Sequence, residues 1–247
     1  MAYDLTFKNI DDLCPKQEIE KSKHVLVPRQ PCRIALLGHS GSGKTNMGIL
    51  LITRDLIVDK LYVCSKHLFQ PKMEFLMKHY NMIEEKINKK LQKRHKGAGY
   101  AEHYKIIEAW TNDLDEMPSV DELDGSLHNI ILFDDMMMEK DQKKIVDYFI
   151  RGRHKKCTVM YLSQSFFAIP RKIRLNCSHY AMFNSPSKSE SKRISNEIAP
   201  DLEQKQFLKY LNRATEDDYN FLFIDTTQKK KLLRYRKNLD EMVVGDD

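Results

Sequence analysis

Arg33-Ile-Ala-Leu-Leu37 runs apolar into a glycine, and the next eight residues, Gly38-His-Ser-Gly-Ser-Gly43-Lys44-Thr45, fill G-x-x-x-x-G-K-[ST] completely. Few other stretches leave a backbone so little choice. The apolar run reads as a buried strand, and the Thr45 to Asp55 spacing (Met47, Leu50, Leu51, Arg54) as a helix. The glycines between them let backbone amides turn inward as an anion nest, to which the helix start adds its positive dipole end. In such a loop Lys44 reaches the β and γ phosphates of ATP, and the Thr45 hydroxyl ligates Mg2+. His39, Ser40, Gly41, Ser42 and Asn46 complete the expected nucleotide-binding stretch.

The rest of the chain alternates in the same way. Lys60 to Cys64, Asn129 to Phe133, Thr158 to Leu162, His179 to Phe183 and Phe221 to Ile224 are apolar runs of strand length. Asp141 to Phe149 is amphipathic, with Ile145, Val146 and Phe149 on one face. Continuous apolar strands separated by helices predict an α/β fold, a parallel sheet covered on both faces. Residues 1–27 read as an N-terminal extension and 28–247 as a single domain. Within it, 70–127 is a helical insertion between the second and third core strands, and 186–247 supplies C-terminal helices and edge strands. The insertion holds a basic block (Lys86 to Lys96), a break at Gly97-Ala-Gly99, an aromatic helix around Tyr104 to Trp110, and an acidic loop (Asn112 to Asp124). The pair Phe221 to Asp225 and Leu232 to Arg236 is expected to extend the sheet edge.

Composition narrows the class further. With only 9 Gly and 8 Pro, collagen-like and low-complexity readings fall away. No apolar run approaches a bilayer span, and the N-terminus lacks a signal-peptide core, so a soluble intracellular protein with no membrane partner is expected. Five scattered cysteines without Cys-x-x-Cys read as buried core residues and argue against zinc. Lys+Arg exceed Asp+Glu by 41 to 35, a net +6, concentrated in Lys86 to Lys96, Arg151 to Lys156 and Lys229 to Lys237. Blocks of this kind can meet a phosphate backbone, or can be solvated faces.

Three more groups carry chemistry. Ile130 to Phe133 runs into Asp134 and Asp135, as a buried strand does when it delivers a carboxylate to the ligand edge of a parallel sheet. Asp134 would hold Mg2+ with Thr45, and Asp135 would polarise the attacking water; adjacent acids can also be turn formers. Gln164 ends the Thr158 to Leu162 run and can sense a γ-phosphate. Arg151-Gly-Arg153-His-Lys-Lys156 precedes that strand. There Arg153, with Arg151 as fallback, can act in trans as a finger on a neighbouring subunit's nucleotide, or simply form a basic turn.

Together, Gly38 to Thr45, Ile130 to Asp135 and Arg151 to Gln164 resemble the FtsK–HerA superfamily of DNA-pumping ATPases. Within it the chain is most similar to viral genome-packaging ATPases of poxviruses, other large DNA viruses, virophages and Polinton-like elements. The resemblance runs from Pro28 to Phe183. It implies a RecA-like core of strand order 5-1-4-3-2 and a homo-oligomeric ring, pentamer or hexamer, with sites at subunit interfaces. It also implies ATP-driven translocation of double-stranded DNA without sequence preference, into a capsid whose vertex proteins are further partners. The host cytoplasm, a viral factory or the virion is the implied setting. Many relatives carry Glu at the position of Asp135, which makes Glu139 an alternative base. A cellular or plasmid translocase or helicase, and a nucleotide-gated binding module, are the competing readings. Candidate DNA contacts are Lys86 to Lys96 and Arg171-Lys172-Ile-Arg174.

Overall fold

A computed structural model describes residues 26–94, 103–183 and 187–243. Cys14, the Gly97-Ala-Gly99 break, the end of the first basic block and most of the N-terminal extension lie outside them. Nine strands form one sheet: β1 (Arg33–Leu37), β2 (Lys60–Ser65), β3 (Ile107–Thr111), β4 (Asn129–Asp134), β5 (Cys157–Ser163), β6 (His179–Met182), β7 (Leu222–Asp225), β8 (Tyr235–Lys237) and β9 (Glu241–Met242). Their spatial order is β3-β2-β4-β5-β1-β6-β7-β8-β9. The first six are parallel, and β7, β8 and β9 add antiparallel. With β3 set aside, the parallel core reads 5-1-4-3-2 in chain order, the order the resemblance implies.

Side chains alternate between two cores, as the pleat requires. Ile34, Leu36, Leu61, Val63, Ile130, Leu132, Met160 and Leu162 share one core with α1 (Lys44–Leu50) and α2 (Pro71–Arg94). Ala35, Leu37, Cys64, Ile131, Phe133, Val159 and Tyr161 share the other with α3 (Lys143–Arg151), α5 (Lys188–Ile198) and α6 (Gln204–Ala214). Two short helices, α4 (Arg171–Arg174) and α7 (Lys231–Arg234), lead into β6 and β8. Cys32, Cys64, Cys157 and Cys177 are free and buried, and burial pushes their thiols up to about 12.

The insertion differs from its expected form. Tyr104 to Trp110 is no helix; Ile107–Thr111 is the outermost parallel strand, paired to β2. Two residues one turn apart on α2 hold the approach to it. Glu84 Oε1 accepts the Ile106 and Ile107 amides at 2.6 and 2.8 Å. Asn88 accepts the Tyr104 amide at 2.8 Å and donates to the Tyr104 carbonyl at 3.0 Å. These contacts satisfy backbone groups that a helix would have paired internally.

Candidate nucleotide-binding site

The site is built at the carboxyl ends of β1, β4 and β5, three adjacent strands. Beyond β1 the chain turns through Gly41 and Gly43, whose φ angles of 79° and 107° lie where side chains are disfavoured. Lys44 Nζ sits over the loop, donating to the carbonyls of Gly38 and His39 at 2.5 and 2.8 Å. Burial lowers its pKa, against the opposing pull of Asp134 and Asp135. The Ser42 hydroxyl is buried with no hydrogen-bond partner among the described residues. Such an orphaned donor within an amide-rich loop fits a phosphate oxygen.

Asp134, the last residue of β4, is 6% exposed. Burial raises its pKa, with the Ser65 hydroxyl, 3.2 Å away, opposing. A buried carboxylate of this kind, next to Asp135, suits a divalent cation that would neutralise both. Asp135 leaves the strand at φ 55°, a left-handed conformation that Asp adopts more readily than most residues. Its carboxylate meets His67 Nε2 at 3.1 Å, whereas Glu139 is ion-paired to Lys66. Gln164 is exposed directly after Ser163, whose carbonyl accepts the Gly38 amide at 3.2 Å; the β5 exit therefore abuts the phosphate loop. Ser65, Lys66 and His67 escaped the sequence reading. Their signal was a polar triplet ending an apolar run, but their partners lie some seventy residues on.

The basic segment before β5 lies at the other edge of the sheet. Seven residues of β5 at about 3.3 Å each separate it from Gln164, roughly 20 Å. The acidic stretch of the insertion folds against it. Arg151 is ion-paired to Asp121 and to Asp147, Lys155 donates to the Asp121 and Leu123 carbonyls, and Lys156 to that of Ser126. The Arg153 side chain is exposed and makes no hydrogen bond or ion pair among the described residues; its carbonyl accepts the Lys156 amide at 3.2 Å.

Other basic candidates are redistributed as well. Arg174 is no DNA contact: it is buried, donates to Glu197 at 2.8 Å and stacks over Phe166 at 4.8 Å. Within the third block Arg236 is 3% exposed and donates to the Leu26 and Leu239 carbonyls, while Arg234 pairs with Asp201. Lys86, Lys89, Lys90 and Lys93 remain exposed on α2, and Arg171 and Lys172 on α4.

A parallel sheet in this order, with an anion loop on β1 and a carboxylate on β4, defines a P-loop NTPase. The poxvirus A32 protein family matches residues 19–231, and the chain belongs to that family. Among solved structures, the genome packaging NTPase B204 of Sulfolobus turreted icosahedral virus 2, in complex with AMPPCP, is similar in fold at 14% identity. It has a TM-score of 0.50, with 84% of this chain and 96% of that one covered. EssC (ATPases 2 and 3) of Geobacillus thermodenitrificans aligns at 12% identity and a TM-score of 0.43, covering 88% of this chain and 41% of that one. Among curated proteins, none matches.

Proposed function

We propose that this chain is an ATPase that moves double-stranded DNA, without sequence preference, into a capsid, as a homo-oligomeric ring in the host cytoplasm or viral factory. The observation that carries the reading is the convergence of Lys44, Asp134, Asp135 and Gln164 on the ends of three adjacent strands. That set contains what hydrolysis needs beyond binding, and a pure switch would not need it. Membership in the poxvirus A32 family and the fold shared with a genome packaging NTPase support the DNA-moving part of the reading.

In this reading residues 28–247 are one ATPase domain, with 70–127 inserted and 1–27 an extension. Gly38 to Thr45 and Asn46 cradle the phosphates, and Lys44 bears on the transferring group. Thr45 and Asp134 hold Mg2+, which draws charge from the phosphate oxygens when bound. Asp135 accepts the proton of the attacking water, and Gln164 reads whether the γ-phosphate is present. Arg153 serves the neighbouring subunit's site, where a planar, permanently charged fork suits the spread charge of phosphoryl transfer.

ATP turnover, measured with and without several unrelated duplexes at low and moderate salt, tests this. Stimulation should be equal across sequences and fade with salt, because each released counterion steepens the dependence. Turnover indifferent to every duplex would leave an ATPase and remove the motor.

A further inference from the structure

We propose that the cavity on the β6 side of the phosphate loop is the nucleobase subsite, with Tyr219 as its stacking platform. This rests on the ATPase reading above and specifies where the far end of the nucleotide lies. The carboxylates and Gln164 stand on β4 and β5, on one side of β1, and so define the γ-phosphate end. The base must leave in the other direction, towards β6.

A cavity of about 470 Å3 opens there, bordered by Gly43 and Asn46 of the loop and walled by Met47, Phe183, Tyr219 and Phe221. Its mouth is continuous with the phosphate loop. A Cβ built on Gly43 would lie 3.3 Å from Phe183 Cε1 and 3.5 Å from Tyr219 Cδ1, so both rings stand against the glycine backbone. Phe183 is fixed by its amide to the Leu37 carbonyl at 2.8 Å and packs on Phe221 with ring centroids 4.8 Å apart.

Tyr219 is the unusual wall. It is 70% exposed and holds φ 66°, a backbone conformation unfavourable to a bulky aromatic residue. Neighbouring contacts maintain it. Asn220 donates to Asp217, and Asn238, itself at φ 54°, donates to Asn220 Oδ1 at 3.0 Å and binds the Phe221 carbonyl through its amide at 2.8 Å. An exposed ring held this way beside an apolar slot adds little to the core. It does suit a planar heterocycle, since stacking needs only a rigid π face.

The experiment separates base from phosphates. Binding of Mg-ATP and of magnesium tripolyphosphate, which has no base, is measured by calorimetry for the wild type, Tyr219→Ala and Tyr219→Phe. Tyr219→Ala should weaken ATP about tenfold or more while tripolyphosphate binds as before. Tyr219→Phe, which keeps the ring, should hold ATP near the wild-type affinity. Equal losses for both ligands in Tyr219→Ala, or ATP affinity unchanged by it, would remove the subsite and leave the phosphate loop standing. A wild type that binds neither ligand would remove both.

Discussion

Asp134 and Asp225 are buried equally, each 6% exposed, at opposite edges of one sheet, and their ionisation is tuned in opposite directions. At the strand ends burial raises Asp134, and the Ser65 hydroxyl with the charges of Lys44 and His67 is too weak to reverse it. At the strand starts burial also works against Asp225. There, hydrogen bonds from His179 and Thr227 outweigh it and hold the carboxyl at about 2. Arg33, Arg153 and Arg236 gather with Asp225 around a cavity of about 880 Å3. One edge carries a buried anion that Lys44 and His67 offset only in part; the other pairs its carboxylate with His179 and keeps arginines over. Opposite edges of one chain, roughly 20 Å apart, cannot meet. Those of two chains packed head to tail can, and such contacts give a ring where the rotation between subunits closes.

The largest effect expected from that asymmetry falls on Arg153. If it completes a neighbour's site, Arg153→Ala should cut turnover by about 10³–10⁵. Arg151→Ala should cost far less, because Arg151 is already committed to Asp121 and Asp147. Mixing is the sharper form. Arg153→Ala subunits and Lys44→Ala subunits, each inactive alone, should regain activity together, since some junctions then pair an intact loop with an intact arginine. No recovery at any ratio in co-assembled rings would confine Arg153 to its own subunit and break the two-edge comparison.

Much of the strand-end edge was legible because its signals are local. Gly38 to Thr45 is contiguous, Asp134 follows its own apolar strand, and Gln164 ends another. The strand-start edge was less so, because charge along a sequence does not say what neutralises it. Arg236 and Arg174 sit in basic runs that read as phosphate contacts, yet their partners, the Leu26 carbonyl and Glu197, come from distant segments. Arg153 differs from Arg151 only in what the acidic loop reaches. The strand β3 was missed because Ile106, Ile107, Ala109 and Trp110 fit a helical face as well as an edge strand. The contacts that decide, Glu84 and Asn88, lie about twenty residues away on α2.

A second test bears on the buried charge of Asp134. Its pKa is raised on folding, so its favourable contribution is complete only below the unfolded value and is lost as pH rises through the folded one. At neutral pH the ionised carboxylate therefore costs stability. Asp134→Asn should melt higher than wild type without nucleotide, by about 2–4 °C for each kcal/mol regained, while Mg2+-dependent turnover falls. Unchanged or lowered melting would mean that the edge already neutralises its own carboxylate.

Asp225 should give the smallest effect and the opposite sign. Its folded pKa lies below the unfolded one, so the stability it provides is fully present above about pH 4 and drains away as pH falls towards 2. At pH 7 Asp225→Asn removes that contribution but leaves a side chain that still accepts from Thr227. A loss of about 1–2 kcal/mol is expected, discounted for partial solvent screening. Denaturant midpoints for the two proteins should be separated at pH 7, still separated at pH 5, and draw together from pH 4 downwards, closing only near pH 2. Separation that stayed undiminished between pH 5 and pH 2.5 would point to lost packing rather than lost charge. A stabilised Asp225→Asn would show that both edges store unpaired anions, and the asymmetry would then lie in the arginines alone.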